Sequence, residues 1–257
     1  MNSETPASLV RPAASTAAGA GAGIFAHTVA WVVLAIALAA SAGGWFIARK
    51  HEDLTASKRF EEEASRIQTA LSQRLSIYQD VLHGGVGLFA ASLSVERAEW
   101  RAYVKTVSVS ERFPGIDGLG FIASVPREKL DAFLKITRED KTPDFQVKQP
   151  GTNDDLLIVK FFEPEATHAG LLGMDAGADS DRRWVAEKAR DSGEAVISGL
   201  VKLYGTDAGS PNGLVMLLPV YRNGTPTGTL AEKRANLAGW VFARFFTAQL
   251  MSGALDD

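Results

Sequence analysis

Residues 173–198 read GMDAGADSDRRWVAEKARDSGEAVIS and set a loop, a helix and a strand in immediate succession. The glycine-rich loop begins slightly earlier, as GLLGMDAGADSD over 170–181. Asp179 or Ser180 can cap the following helix, because a short oxygen-bearing side chain accepts from its first unpaired backbone N–H groups. Asp181 complements the positive end of the helix dipole. The helix runs from Arg182 to Ser192, and Gly193 ends it as a C′ residue. A strand over Ala195–Tyr204 comes next, then strands over Gly213–Tyr221 and Leu237–Arg244. Three strands so close in sequence argue an antiparallel sheet with helices on one side, an α+β fold. The connector Arg222–Asn236 is long, polar and Gly/Pro-bearing and reads as a loop, and Phe245–Ala254 begins another helix.

Upstream, Gly118–Val125 (GLGFIASV) and Asp155–Phe162 read as two further strands. Pro126 opens a helix over Arg127–Thr137, with Leu130, Phe133 and Leu134 facing inward. An earlier helix takes Ser94 as its N-cap, puts Glu96 in its first turn and aligns Trp100, Tyr103, Val104 and Val107 on one face. Phe113-Pro114-Gly115 stops it, and Gly84, Gly85 and Gly87 loosen the chain before it. From residue 52 to 83 the period is helical: Phe60, Ala64, Ile67, Leu71, Tyr78 and Val81 step by threes and fours, with Arg74 interrupting. This stalk is about 45 Å long at 1.5 Å per residue. Two readings of its apolar stripe stand side by side, packing on its own domain or pairing with its twin in a homodimer.

Toward the N-terminus there is no Asp, Glu, Lys or Arg between Arg11 and Arg49. Residues 24–48, IFAHTVAWVVLAIALAASAGGWFIA, are almost pure hydrocarbon and long enough to cross a bilayer with some tilt. Ala40-Ser41-Ala42 has the small-residue pattern of a signal-peptide cleavage site, but the apolar stretch exceeds a signal core and favours an uncleaved anchor. Residues 1–23 are rich in Ala, Ser, Thr, Gly and Pro and read as a disordered tail. The basic residues Arg49, Lys50, Lys58 and Arg59 follow the run and only Arg11 precedes it. Read literally, that charge bias keeps the folded part in the cytoplasm, although long domains translocate largely regardless of charge.

The formal net charge is −3, from 27 basic and 30 acidic residues, so no basic surface for nucleic acid is implied. Without cysteine there is no disulfide, thiolate metal site or cysteine nucleophile. His27, His51, His83 and His168 stand apart, and no hydrolase elbow or phosphate loop is present. Asp175, Asp179 and Asp181 are faintly metal-like but lack the spacing and closing Glu of a calcium loop. We therefore expect no catalytic residue, no metal and no cofactor, and a protein that is not an enzyme.

Several segments together resemble the CHASE family, the extracytoplasmic sensor of histidine kinases, nucleotide cyclases and plant cytokinin receptors. They are RLSIYQDVLHGGVGLFAAS (74–92), ERFPGIDGLGFIASV (111–125), FFEP (161–164), 173–198, LLPVYR (217–222) and LAGWV (237–241). The resemblance covers residues 60 to 257. It implies an anchor at 24–48, a stalk at 52–83, a membrane-distal PAS-like module with a mixed or antiparallel sheet at 84–244, and the start of a truncated membrane-proximal PAS-like module at 245–257. It also implies a cytoplasmic kinase or cyclase effector outside these residues.

The resemblance places the ligand pocket in the membrane-distal module. In cytokinin receptors an aspartate before the helix accepts adenine N–H groups, and Asp175 matches it, upstream of the matching Gly193. The strand after that glycine points to Val196, Ile197 and Leu203, with Leu218 on the next strand and Thr206 near a family threonine. A buried carboxylate is costly unless donors meet it. The ligand can supply those donors, and the equal alternative is that Asp175 caps a turn or faces solvent.

Two functions follow. The first is a sensor of a small, adenine-like or other molecule, held in the inner membrane with its domain in the periplasm, and signalling as a homodimer through the stalk. The second is a membrane-anchored envelope scaffold that binds a protein partner, with Trp184 or Trp240 marking the surface.

Overall fold

In the computed structural model the backbone is described for residues 20–113, 115–203 and 212–247, and the side chains of 20–28, 30, 47–63 and 110 lie outside the described set. The chain divides into two units, Met1–Ala64 and Ser65–Asp257.

Helix α1 spans Ala20–Ala91. It begins inside the stretch read as a tail, and residues 1–19 lie outside the described residues. In the first unit the described side chains of α1 are exposed all round, Trp31 at 71% and Phe46 at 67% among them. Among the described residues no helix is long and apolar enough to cross a membrane, and the run 24–48 lies partly outside them.

In the second unit the rest of α1 packs as the first reading of the stalk expected, through Tyr78, Val81 and Leu82. Gly84 and Gly85 do not end the helix. A Cβ on Gly85 would stand 3.0 Å from Val241, and one on Gly84 2.6 Å from the Tyr103 hydroxyl, so these glycines let neighbours approach closely. Helix α2 (Arg97–Val107) starts from Glu96 rather than Ser94, because Glu96 and Glu99 form a reciprocal capping box. A short α3 (Val109–Arg112) leads into strand β1 (Ile116–Pro126), then α4 (Leu130–Glu139) and β2 (Asp155–Glu163). Helix α5 (Ser180–Ser192) is capped by Asp179, whose carboxylate accepts from the Asp181 and Arg182 amides, and Gly193 closes it at φ 83°. The strand expected over 195–204 is two short pieces, β3 (Val196–Ile197) and β4 (Val201–Lys202), both pairing with β5 (Asn212–Tyr221). The polar connector after β5 is not all loop. It contains α6 (Leu230–Asn236), started by a Thr229–Glu232 capping box. Strand β6 runs Leu237–Phe246, so Phe245 is strand rather than the first residue of a new helix. Residues 248–257, most of the stretch assigned to a second module, lie outside the described residues.

The sheet is antiparallel with order β2-β1-β6-β5-β3, and β4 also pairs with β5. Helices cover both faces rather than one. On one face Tyr78, Trp100, Phe121, Leu218, Val241 and Phe245 share a core with α1 and α2. On the other, Leu157, Leu217, Trp240 and Phe242 meet Val185, Ala186 and Ala189 of α5. Successive strand residues point to opposite faces, so a sheet buried on both sides reads as continuous apolar runs. That is why β2, β5 and β6 show no polar alternation.

Candidate functional site

Helix α5 lies over one face of the sheet and is pinned at several points. Trp240 Nε1 donates to the Ala186 carbonyl at 2.9 Å. Beyond its C-terminus, Lys233 Nζ donates to the Ser192 carbonyl at 2.6 Å, and Arg234 Nη2 to Asp191 at 2.6 Å. Hydrogen bonds from Arg234 and Arg190 hold the Asp191 carboxyl well below the usual carboxylate range.

Between α5, the segment 171–176 and the sheet lies a cavity of about 50 Å³. Its sheet wall is Ile122, Val159, Leu217 and Phe242, its helix wall Val185 and Ala186, and Leu203 closes one side. Arg182, Ser198, Lys202 and Arg244 also border it, although its surface is almost wholly apolar. Arg182 Nη2 donates to the Lys202 carbonyl at 2.5 Å, which ties α5 to β4. Ser198 Oγ accepts from the Val215 amide at 2.9 Å.

Arg244 is 2% exposed. Its Nη2 lies 3.1 Å from Asp117 Oδ2, and its guanidinium stands 5.3 Å above the Phe162 ring. Burial pushes its ionisation below the ordinary arginine value, Asp117 opposes that shift, and nearby Arg182 adds to it. Asp117 Oδ1 in turn faces His168 Nε2 at 3.1 Å, while His168 Nδ1 lies 3.0 Å from the Pro164 carbonyl. The cavity wall thus continues into an enclosed chain Arg244–Asp117–His168.

Of the residues expected to bind ligand, Leu203 stands on the cavity wall. Asp175 does not. It is 3% exposed. Its Oδ1 accepts from the Leu157 and Gly177 amides, and its Oδ2 from the Gly151 amide, each at 2.9 Å. Three backbone donors satisfy the carboxylate, which is the turn-capping alternative in a buried form. Its chain neighbours Met174 and Ala176 line the cavity instead. Leu218 points to the opposite core because it is one residue out of phase with Leu217. Val196 packs beside the α5 core without lining the cavity, and Ile197 is partly exposed. Thr206 lies outside the described residues. Trp240 is core, whereas Trp184 is exposed under the Lys188 ammonium, 5.0 Å from the ring centroid. Among the described residues no group of three or more His, Asp or Glu could hold a metal ion.

The sequence reading missed Arg182, Ser198, Lys202 and Arg244. Arg244 had a signal: it is the one charge inside the apolar run LAGWVFARFF (237–246), in phase with Trp240 and Phe242. A charge at such a position must be paired or serve a site.

A family model described as the CHASE domain matches residues 93–257. Comparison with curated proteins finds no match.

Proposed function

The chain belongs to the CHASE domain family, and from that premise we propose that it is the sensing part of a membrane-anchored receptor whose ligand occupies the cavity under α5. CHASE domains are extracytoplasmic sensor modules of signalling receptors. The observation that carries the reading is a partly open, apolar cavity between α5 and the sheet, the ordinary setting of a small-molecule site. Supporting the anchor are the apolar side chains that α1 exposes between Val29 and Phe46, which water does not tolerate in such number. Occupancy would bias two arrangements of α1 in a dimer, with a coupling of about 1–3 kcal/mol, and the output would belong to an effector outside these residues. The residues themselves would perform no chemistry.

Thermal unfolding of the detergent-solubilised full chain against a panel of small metabolites tests this. A saturable rise in Tm for one chemical class supports it. Stoichiometric capture of a protein through the Trp184 surface, with no small molecule raising Tm, would favour the scaffold reading instead; the exposure of Trp184 and Leu200 is what speaks for that alternative.

A further inference from the structure

Strand β2 departs from regular pairing at one residue. Phe121 of β1 faces Phe161 and Ile122 faces Val159, so Lys160 has no partner across the ladder and forms a β-bulge. Ile158 and Phe161 belong to the core under α1 and α2, and Val159 and Phe162 to the core under α5. The bulge breaks the alternation of faces and sets Lys160 beside Phe161. Its Nζ stands 4.7 Å from the Phe161 ring centroid. Arg97 of α2 meets the same ring, its guanidinium 5.5 Å from the centroid, and its Nη2 donates to the Lys160 carbonyl at 3.3 Å. Two cations therefore share one aromatic ring where α2 meets β2. Lys160 is half-buried and Arg97 is 6% exposed.

The carboxylates nearby are committed elsewhere. Asp140 accepts from the Arg97 amide at 2.8 Å, and Glu96 is held in the capping box of α2. Glu165 takes Arg101 at 2.6 Å and Arg97 Nη1 at 3.3 Å. Among the described residues no carboxylate pairs with the Lys160 ammonium, and Arg97 Nε, a buried N–H, has no acceptor. Burial pushes the ionisation of Lys160 below the ordinary lysine value. Arg97 adds to that shift, and Asp140 and Glu96 oppose it. The site thus holds an amine that releases its proton more readily than a surface lysine, beside an N–H donor that lacks an anion. A reagent that turns the amine into an anion satisfies both.

Carbon dioxide does this, and it is small and uncharged. The lone pair of the neutral amine forms a bond from Nζ to the carbon, one C=O pair moves onto oxygen, and the nitrogen releases a proton to water. The product is a carbamate, with a negative charge where the ammonium carried a positive one. Transfer of an acyl group would leave a neutral amide, which offers Arg97 no anion.

We propose that Lys160 reversibly binds carbon dioxide as a carbamate, whose oxygens accept from the Arg97 guanidinium. This is a modification of the chain and not catalysis. It is independent of the cavity under α5, and it makes the contact between α2 and β2 responsive to dissolved carbon dioxide. Going from ammonium to carbamate releases protons, so at fixed carbon dioxide the occupancy rises with pH.

The test equilibrates the full chain in detergent with isotopically labelled carbon dioxide at mildly alkaline pH. A trialkyloxonium salt then converts any carbamate to a stable ester, and peptide mass spectrometry locates it. Lys188 is the internal control, because its ammonium also stands over an aromatic ring, 5.0 Å from the Trp184 centroid, but is exposed. We expect about tenfold more label on Lys160 than on Lys188, and a loss of about tenfold at Lys160 in Arg97→Lys with Lys188 unchanged. In carbon NMR of the untrapped protein, one carbamate resonance of the parent should vanish in Lys160→Arg. Equal label on Lys160 and Lys188, or identical spectra of parent and Lys160→Arg, would overturn the carbamate assignment. Undiminished label at Lys160 in Arg97→Lys would overturn the role of Arg97. The label ratio and the spectra decide the proposal even where Arg97→Lys fails to fold.

Discussion

Phe245 of β6 stacks on Tyr78 of α1, with ring centroids 5.1 Å apart and planes inclined by 24°. Its chain neighbour Arg244 points the other way, into the cavity wall. One peptide unit of β6 therefore carries a cavity residue on one face and an α1 contact on the other. β6 thus joins the cavity wall to α1 by direct packing, without any intermediate loop. Tyr78 is fully buried, so Tyr78→Ala should cost about 3–5 kcal/mol by chemical denaturation. Tyr78→Phe keeps the ring stack and should cost far less. A loss under about 1 kcal/mol in Tyr78→Ala would show that α1 is not seated on the sheet as described.

The Arg244–Asp117 pair should be strongly asymmetric in its response to mutation. Removing the carboxylate takes an ion-pair partner from a buried guanidinium, so Asp117→Ala should destabilise by about 3–5 kcal/mol. The double variant Asp117→Leu with Arg244→Met replaces both by apolar groups and should recover most of that loss. Urea unfolding of the three proteins measures the coupling. Additive losses would mean that the two side chains do not depend on each other.

Asp175 gathers the loop at Gly151, strand β2 at Leu157 and the turn at Gly177 through three backbone donors. Asp175→Ala would leave those amides buried without acceptors, at a cost of about 3 kcal/mol or more. The loss should be present in the unliganded protein, which separates this role from a ligand contact. If unfolding of unliganded Asp175→Ala matched the parent while affinity fell, the carboxylate would belong to the ligand after all.

Stability should fall at high pH through two tyrosines. Burial pushes the Tyr103 phenol up to about 12, and burial with the nearby Asp191 charge does the same for Tyr221. Their hydroxyls donate to the Val81 carbonyl at 2.6 Å and the Arg190 carbonyl at 2.5 Å. In the unfolded chain both titrate near pH 10. Between about pH 10 and 12 the unfolded state has released protons that the fold still holds, so stability declines as pH rises through that window and is level below it. Tyr103→Phe should make the decline shallower, as followed by urea midpoints from pH 9 to 11.5. An unchanged slope would assign the alkaline loss elsewhere.

Much of the fold was legible because the strands of a sheet buried on both faces are apolar runs, and because Asp179 and Gly193 bracket α5 by plain capping chemistry. What escaped depended on tertiary context. The glycines at 84–87 look like a break, yet they serve close packing against Tyr103 and Val241 inside a continuous helix. The Thr229–Glu232 capping box that starts α6 sat within a connector whose polarity drew attention from it. The site was harder. Leu217 and Leu218 are chemically identical and only the register of β5 against β6 decides which faces the cavity. Asp175 was singled out as a buried carboxylate needing donors, but whether a ligand or the backbone supplies them is a question of three-dimensional placement.

The apolar run of α1 makes the last prediction. Val33, Leu34 and Ile36 are exposed side chains on this helix, at positions where a water-facing helix would carry charge. If the run lies in a bilayer, each lysine placed near its centre adds about 2.5–3.5 kcal/mol to the cost of insertion. The triple variant Val33→Lys, Leu34→Lys, Ile36→Lys should then lose membrane association almost entirely. The parent chain should sediment with membranes and be released by detergent but not by high salt or carbonate. Flotation of both proteins with liposomes gives the same comparison without a cell. Salt-extractable parent protein, or a triple variant that still floats, would mean that the run is covered by protein and not by lipid, and the receptor reading would need another means of reaching the membrane.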